Sequence, residues 1–229
     1  MIPGRKVEAF KRPIIKGVPK SKIIIKNTEY ELIEVKERAV YDTLVIGNRT
    51  GGDYTLLPGT TFAWFENVSG KGKQYTNCDK AHQIPSGWAG KFYYVGIIPR
   101  IYWGNTRATA NEVMKVLENL YIEFRIFDDI IINGPYYEFE SGRGFAGEST
   151  ESDTSFISIG VPASGTKRAL LEPIELDYND AISCIARYER TNLTDSSDHE
   201  IENPVIPEGV VVTLTFELRG LVAVSALKR

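Results

Sequence analysis

Val210-Val211-Val212-Thr213-Leu214-Thr215-Phe216-Glu217-Leu218-Arg219-Gly220-Leu221-Val222-Ala223-Val224 is the stretch that decides the fold. Val212, Leu214, Phe216 and Leu218 fall on one side of it; Val211, Thr213, Thr215, Glu217 and Arg219 fall on the other. A period of two marks a β-strand with one face in a core. The β-branched and aromatic composition suits a pleated, half-buried surface. The run is longer than an ordinary strand, and Gly220 stands where a bulge or bend is expected. A strand of this length and pattern closes a sheet, which points to an all-β sandwich.

Working outward from that strand, the same periodicity recurs. Tyr30–Val35, Tyr41–Ile46, Thr61–Val68, Phe92–Trp103, Tyr121–Phe127, Ile130–Asn133, Phe156–Val161, Leu170–Leu176 and Ala181–Glu189 read as strands. In Thr61–Val68 the alternation places Phe62, Trp64 and Glu66 on one side. In Tyr121–Phe127 it turns Ile122, Phe124 and Ile126 inward and Glu123 and Arg125 outward. Helical spacing appears in Asn105–Leu120, where Val113, Val116, Leu117 and Leu120 recur and Thr109 or Asn111 serves as cap. Between these elements, 47–53, 69–73, 141–153 and 191–203 are loops by composition. Many strands, one helix and long loops describe a sandwich, barrel or jelly roll.

A chain of 229 residues with 42% hydrophobic content can build one large β domain. The net charge of -3 names no partner, but its distribution is uneven. Arg5, Lys6, Lys11, Arg12, Lys16, Lys20, Lys22 and Lys26 face a single acid, Glu8, and Pro3, Pro13 and Pro19 lie among them. Residues 1–27 therefore read as an extended basic arm and 28–229 as the folded domain. The arm's cations suit lipid headgroups, nucleic acid or a neighbouring subunit, since each lysine near a phosphate adds a salt-dependent attraction. The short Ile23-Ile24-Ile25 run can pair at a sheet edge. No leader peptide and no membrane-spanning length are visible, so the expectation is a soluble product made in a cytoplasm. Cys78 and Cys184 are far apart and define no disulfide framework; Cys184 reads as a small buried apolar residue.

The motifs that suggest chemistry are outweighed by plainer readings. Gly142-Arg143-Gly144-Phe145-Ala146-Gly147 matches the dinucleotide pattern, but that pattern works only with a helix after it, and the acidic stretch 148–153 follows instead. Two separated histidines, His82 and His199, do not build a metal centre or a triad by themselves. Asp128, Asp129, Glu138 and Glu140 would be a glycosidase pair only if two of them converge; at alternate strand positions they read as a solvent face. Trp64, Trp88, Tyr93, Tyr94, Tyr102, Trp103, Tyr136 and Tyr137 would line a sugar-binding surface, or else serve as core and subunit contacts.

Three stretches carry a family resemblance. They are Thr76-Asn77-Cys78-Asp79-Lys80-Ala81-His82-Gln83-Ile84-Pro85-Ser86-Gly87 with the strand Phe92–Ile101; Tyr121–Phe139 leading into Gly142-Arg143-Gly144; and Leu170–Leu176, Ala181–Glu189 and the final strand ending Leu218-Arg219-Gly220. Together, over roughly 61–229, the sequence resembles the jelly-roll major capsid proteins of tailless icosahedral bacteriophages, a group that often encloses an internal membrane. The resemblance implies a single jelly-roll β-sandwich of two facing antiparallel sheets with one short helix and an N-terminal arm. It implies a virion structural protein that self-assembles into trimeric, pentameric or hexameric capsomers and a shell, alongside other capsid or vertex proteins. The arm would then meet the internal membrane, the genome or a neighbouring copy. Such families use no catalytic residues and no cofactor, so none are assigned and no enzyme is expected. The alternative is a carbohydrate- or receptor-binding β-sandwich module of a phage virion. The opposite row of the final strand is less polar than a solvated face beyond Arg219, which makes 221–224 a surface expected to be covered, for instance by a neighbouring subunit.

Overall fold

The computed structural model describes residues 22–31, 35–48, 50–102, 107–139, 145–149, 155–159, 168–189 and 203–224. In chain order the elements are β1 (Lys22–Ile25), β2 (Thr28–Glu31), β3 (Val35–Ile46), β4 (Tyr54–Thr55), β5 (Thr61–Trp64), β6 (Trp88–Tyr102), α1 (Arg107–Glu118), β7 (Leu120–Ile126) and β8 (Asp129–Pro135). A 3-10 turn (Tyr136–Phe139) precedes β9 (Phe145–Ser149), β10 (Ser155–Ile159), β11 (Arg168–Asp177), β12 (Ile182–Tyr188), β13 (Val205–Ile206) and β14 (Val211–Val224).

Two four-stranded antiparallel sheets form the body, in the orders β11-β6-β14-β3 and β5-β12-β7-β8. Taken in chain order, their eight strands pair as nested hairpins. The first pairs with the last (β3 with β14), the second with the seventh (β5 with β12), the third with the sixth (β6 with β11) and the fourth with the fifth (β7 with β8). One long hairpin has been rolled up into two facing sheets. That is a jelly roll, and the expected all-β sandwich is its architecture.

The core lies between the sheets, and β14 supplies its central row. Val212, Leu214, Phe216 and Leu218 are all fully buried, as their alternation requires. Phe216 stacks on Phe124 of the facing sheet at 5.4 Å and meets Phe65 edge-on at 5.8 Å. Trp64 crosses from the second sheet to donate its indole N–H to the Leu214 carbonyl at 2.7 Å. That bond gives the one polar atom of a buried indole a partner inside an apolar layer.

The irregularity expected at Gly220 is real, but its extra residue belongs to β6. Arg219 pairs with Tyr94 and Gly220 with Phe92, so Tyr93 is the bulged residue. The bulge moves the core row of β6 from even to odd positions: Phe92 is buried before it, Val95 and Ile97 after it. Gly220 is required by close approach, since a Cβ there would lie 2.1 Å from the Lys91 carbonyl oxygen. At the same level β11 departs from the ladder, and Leu170–Pro173 stand opposite Tyr93 alone.

Several local expectations are corrected. β5 stops at Trp64 because Phe65 takes a left-handed conformation (φ 63°). Trp64 and Phe65 are therefore both fully buried, and Glu66, expected on their side, is exposed. The helix is present, with Val113, Val116, Leu117 and Leu120 buried, but it starts at Arg107. Thr109 and Asn111 thus lie inside it instead of capping it. Residues 145–149 and 155–159, the first of them expected to be loop, form an antiparallel pair. Ile23–Ile25 does not pair at an edge of either main sheet. It forms a separate hairpin with β2 that lies on the outer face of the first sheet, where Ile25 packs on Ala89 and Ala223. The apolar end of β14 is covered, as expected, at Ala223; the cover there is this chain's own hairpin.

Candidate assembly surfaces

The basic arm is the first candidate. Arg5, Lys6, Lys11, Arg12, Lys16 and Lys20 lie outside the described residues. Lys22 and Lys26 belong to the β1–β2 hairpin. Its two-residue turn, Lys26-Asn27, has both φ angles positive (46° and 64°), the requirement of a type I′ turn matched to strand twist. Lys22 pairs with Glu29 across the hairpin at 2.8 Å. Lys26 fastens the turn to the sandwich: its ammonium pairs with Asp180, and its backbone N–H donates to Glu175 Oε2 at 2.8 Å. Lys91 donates to the other oxygen of Glu175 at 2.7 Å. These donors, Lys91 foremost, hold the Glu175 carboxyl below its usual range, and the same contact raises Lys91. Burial, aided by the charge of Asp177, pushes the Tyr30 phenol up beside them.

Each long side of the sandwich is a second candidate, because there an edge strand of one sheet faces an edge strand of the other. On the first side, β3 faces β5 and the chain completes its own edge. The Asn77 side chain accepts from Tyr41 N–H at 3.0 Å and donates to the Ala39 carbonyl at 2.7 Å, as a neighbouring strand would. Deeper in, the fully buried carboxylate of Asp42 accepts from Phe65 N–H at 2.7 Å and from Lys71 at 2.9 Å. Lys71 also donates to the Thr43 carbonyl at 2.7 Å. The glycine-rich loop around Lys71, which composition marks as flexible, is pinned to the core by that ion pair.

On the second side, β8 faces β11, and neither has another strand partner among the described residues. Between them opens a cleft of about 740 Å³ lined by Ile126, Ile131, Ile132, Leu170, Leu171 and Ile174 together with the polar side chains of Asn133, Arg168, Glu172 and Glu175. Leu171 is completely exposed, and Phe127, Ile130 and Ile131 also show large apolar surface to solvent. The Leu170–Pro173 excursion of β11 is what pushes Leu171 outward.

Among the described residues, those singled out for chemistry do not converge. Gly142, Arg143 and Gly144 lie outside the described residues, and Phe145–Ser149, where a nucleotide motif needs a helix, is a strand. Asp128 and Asp129 sit at one end of β8 and Glu138 beyond the other, where Arg168 holds it at 2.9 Å. Seven residues of strand separate them by roughly 20 Å, more than twice the spacing of a glycosidase pair. Glu140 and His199 lie outside the described residues. His82 is exposed, and its Nδ1 approaches the Ile182 carbonyl at 3.2 Å. Among the described residues no three His, Cys, Asp or Glu side chains are placed to hold a metal ion. Cys184 is fully buried, and the Cys78 thiol, also buried, is pushed up to about 12 by desolvation and then by Asp42.

Trp103 lies outside the described residues, and among those described the aromatic residues divide between core and surface. Trp64 and Tyr136 are core, while Tyr94 and Tyr137 are exposed in different elements. A smaller hollow of about 450 Å³ contains Trp88 with Arg38, Tyr41 and Asn77, and Arg38 lies over the Trp88 ring at 5.4 Å. Geometry and surfaces together define the chain as a jelly-roll sandwich with one self-completed side and one open side. No protein-family model matches the chain, and searches of curated proteins and of solved structures also return no match. No helix among the described residues is long and apolar enough to cross a membrane.

Proposed function

We propose that this chain is a virion structural protein, a capsid subunit of the kind its sequence resembles in tailless icosahedral bacteriophages. The observation that carries the reading is the open side of the sandwich: among the described residues β8 and β11 have no further strand partner, and a cleft with Ile131 and Leu171 exposed opens between them. Unprotected edges are normally charged, covered or shortened, because they template association with another chain. A subunit of a closed shell needs such surfaces on a rigid body. In this reading the partners are further copies of itself and other capsid or vertex proteins. The basic arm meets an internal membrane, the genome or a neighbour, and no small-molecule substrate or cofactor is used. The protein is made in a host cytoplasm and ends in the virion.

The test is size measurement of purified full-length protein by light scattering, with negative-stain imaging of concentrated samples. Trimers, pentamers, hexamers or shells are expected. A monodisperse monomer at high concentration across a range of salt would overturn the reading. A carbohydrate- or receptor-binding role on a phage virion is the second reading, and the hollow beside Trp88 favours it. Arg38 already covers one face of that ring, and the Asn77 amide is engaged by the β3 backbone, which leaves fewer free groups for a sugar. Binding on a glycan array that Trp88→Ala abolishes would support it over assembly.

A further inference from the structure

We infer that the hollow beside Trp88 binds a carboxylate carried on a hydroxylated body, the chemistry of an acidic sugar. The inference goes beyond assembly and deepens the receptor-binding reading: it rests on that reading and names the ligand class of the same hollow. It starts from β3, where the buried row Val40, Leu44 and Ile46 places Arg38 on the same face, one step past its buried end. There the guanidinium lies over the Trp88 ring, 5.4 Å from its centroid. The stack uses one face of the planar group and leaves its N–H edges open, because the donors lie in the plane. Among the described residues no ion pair or hydrogen bond engages Arg38. Asp79, the one acid of the lining, is paired with Lys73 at 3.2 Å.

The hollow is rich in free donors and poor in free acceptors. Asn77 Oδ1 accepts from Tyr41 N–H, and the Ala39 carbonyl accepts from the Asn77 amide. The Pro85 carbonyl accepts from the Trp88 backbone N–H. The Tyr41 hydroxyl is spent as a donor on the Lys73 carbonyl. Left over are the Arg38 guanidinium, the Trp88 indole N–H and the exposed Ser86 hydroxyl, none with a partner among the described residues. A ligand that satisfies them brings acceptors: two carboxylate oxygens for the guanidinium fork, and hydroxyl oxygens for the rest. Charge points the same way. Arg38 and Lys73 face Asp79 alone in the lining, so one positive charge is left over for a carboxylate to cancel.

Size favours a sugar ring over a bare anion. The volume of about 450 Å³ falls in the lower part of the small-ligand range of about 300 to 1,000 Å³, and a lone carboxylate would leave most of it to water. Arg38 covers one face of Trp88, so recognition falls to polar edges and less to ring stacking. The walls are set before a ligand arrives. Asn77 is tied to the β3 backbone, and the Lys71–Asp42 pair pins the adjoining loop. Groups held in place in advance lose little entropy on binding.

The test uses full-length protein and saturation-transfer difference NMR, which observes the small ligand and tolerates assembled protein. The probes are methyl glucuronide, methyl glucoside and acetate; the two glycosides differ only in the carboxylate. Glucuronide is expected to bind about tenfold tighter than glucoside, the scale of one charge-assisted bidentate contact. Arg38→Gln should bring the two glycosides together, and Arg38→Lys should fall between, since an ammonium lacks the fork. Arg38 is exposed, so replacing it does not threaten the fold. Equal affinity for the two glycosides, or none for either at millimolar concentration, would overturn the inference. A preference for glucuronide that survives Arg38→Gln would also overturn it. Acetate binding as tightly as glucuronide would show a bare anion site and overturn the sugar assignment. If a glycan array gives only neutral binders that depend on Trp88, the receptor reading stands and the acidic-ligand inference fails. If glucuronide binds through Arg38 but the array gives no binder, the ligand class stands and the receptor reading fails.

Discussion

The side of the sandwich formed by β3 and β5 and the side formed by β8 and β11 are built from the same kind of strand edge and finished in opposite ways. On the first, Asn77 occupies the backbone of β3, and Asp42, Phe65 and Lys71 lock the next loop into the core. On the second, β11 leaves its ladder at Leu170–Pro173 and presents Leu171 to solvent. A fold that closes one edge with its own side chains and leaves the other apolar has been divided between folding and contact. Residues on the closed side should govern stability, and residues on the open side should govern association.

The largest test of that division is Asp42→Ala. It strands Lys71 and the Phe65 N–H beside an apolar core, which costs about 3 kcal/mol, the low end for a broken buried pair because Lys71 keeps some solvent contact. Urea unfolding measures it; a loss below about 1 kcal/mol would mean that the loop is not held by this pair. Asn77→Ala comes next. It leaves the β3 edge without its substitute strand, for an expected loss of about 1–2 kcal/mol. Asn77→Asp keeps the acceptor for Tyr41 but not the donor to Ala39, and should fall between the two.

The hairpin gives a smaller, pH-dependent effect. The Glu175 carboxyl titrates below its unfolded value, so its contribution is complete above the ordinary carboxylate pKa of about 4.3. That contribution is lost as pH falls through the lowered folded value. Amide protection at Ile23–Ile25 should therefore weaken in acid while protection in β14 persists. Glu175→Gln should flatten that response, and an unchanged profile would detach the hairpin from Glu175. Smallest in stability is Leu171→Asp: the side chain is fully exposed, so the unfolding free energy should move by less than about 0.5 kcal/mol. Its effect on oligomer size should be large. A stability loss comparable to Asp42→Ala would break the division between the two sides.

Much of the fold was legible because alternation is a local property. The core row of β14, the inward set Ile122 and Phe124 in β7, and the buried face of α1 all follow from spacing within a few residues. Of the assembly surfaces, the basic arm was legible as charge, and Leu170–Pro173 carried one hint, a proline inside a strand pattern. The cleft itself was not, because it requires β8 and β11 to be known as facing edges. Asn77 lay within a stretch noted for resemblance, yet nothing local shows that its amide meets a strand 36 to 38 residues earlier.

By itself, then, the sequence determined the all-β class, most strands of the two main sheets, and the apolar row of β14. Only the tertiary structure decided the nesting of the eight strands, the bulge at Tyr93 that moves β6 to its other face, and the left-handed Phe65 that ends β5. It also decided which edge is closed. The physical reason is range. Side-chain period acts between neighbours, whereas a bond such as Trp64 to Leu214 spans 150 residues and depends on how the sheets come together.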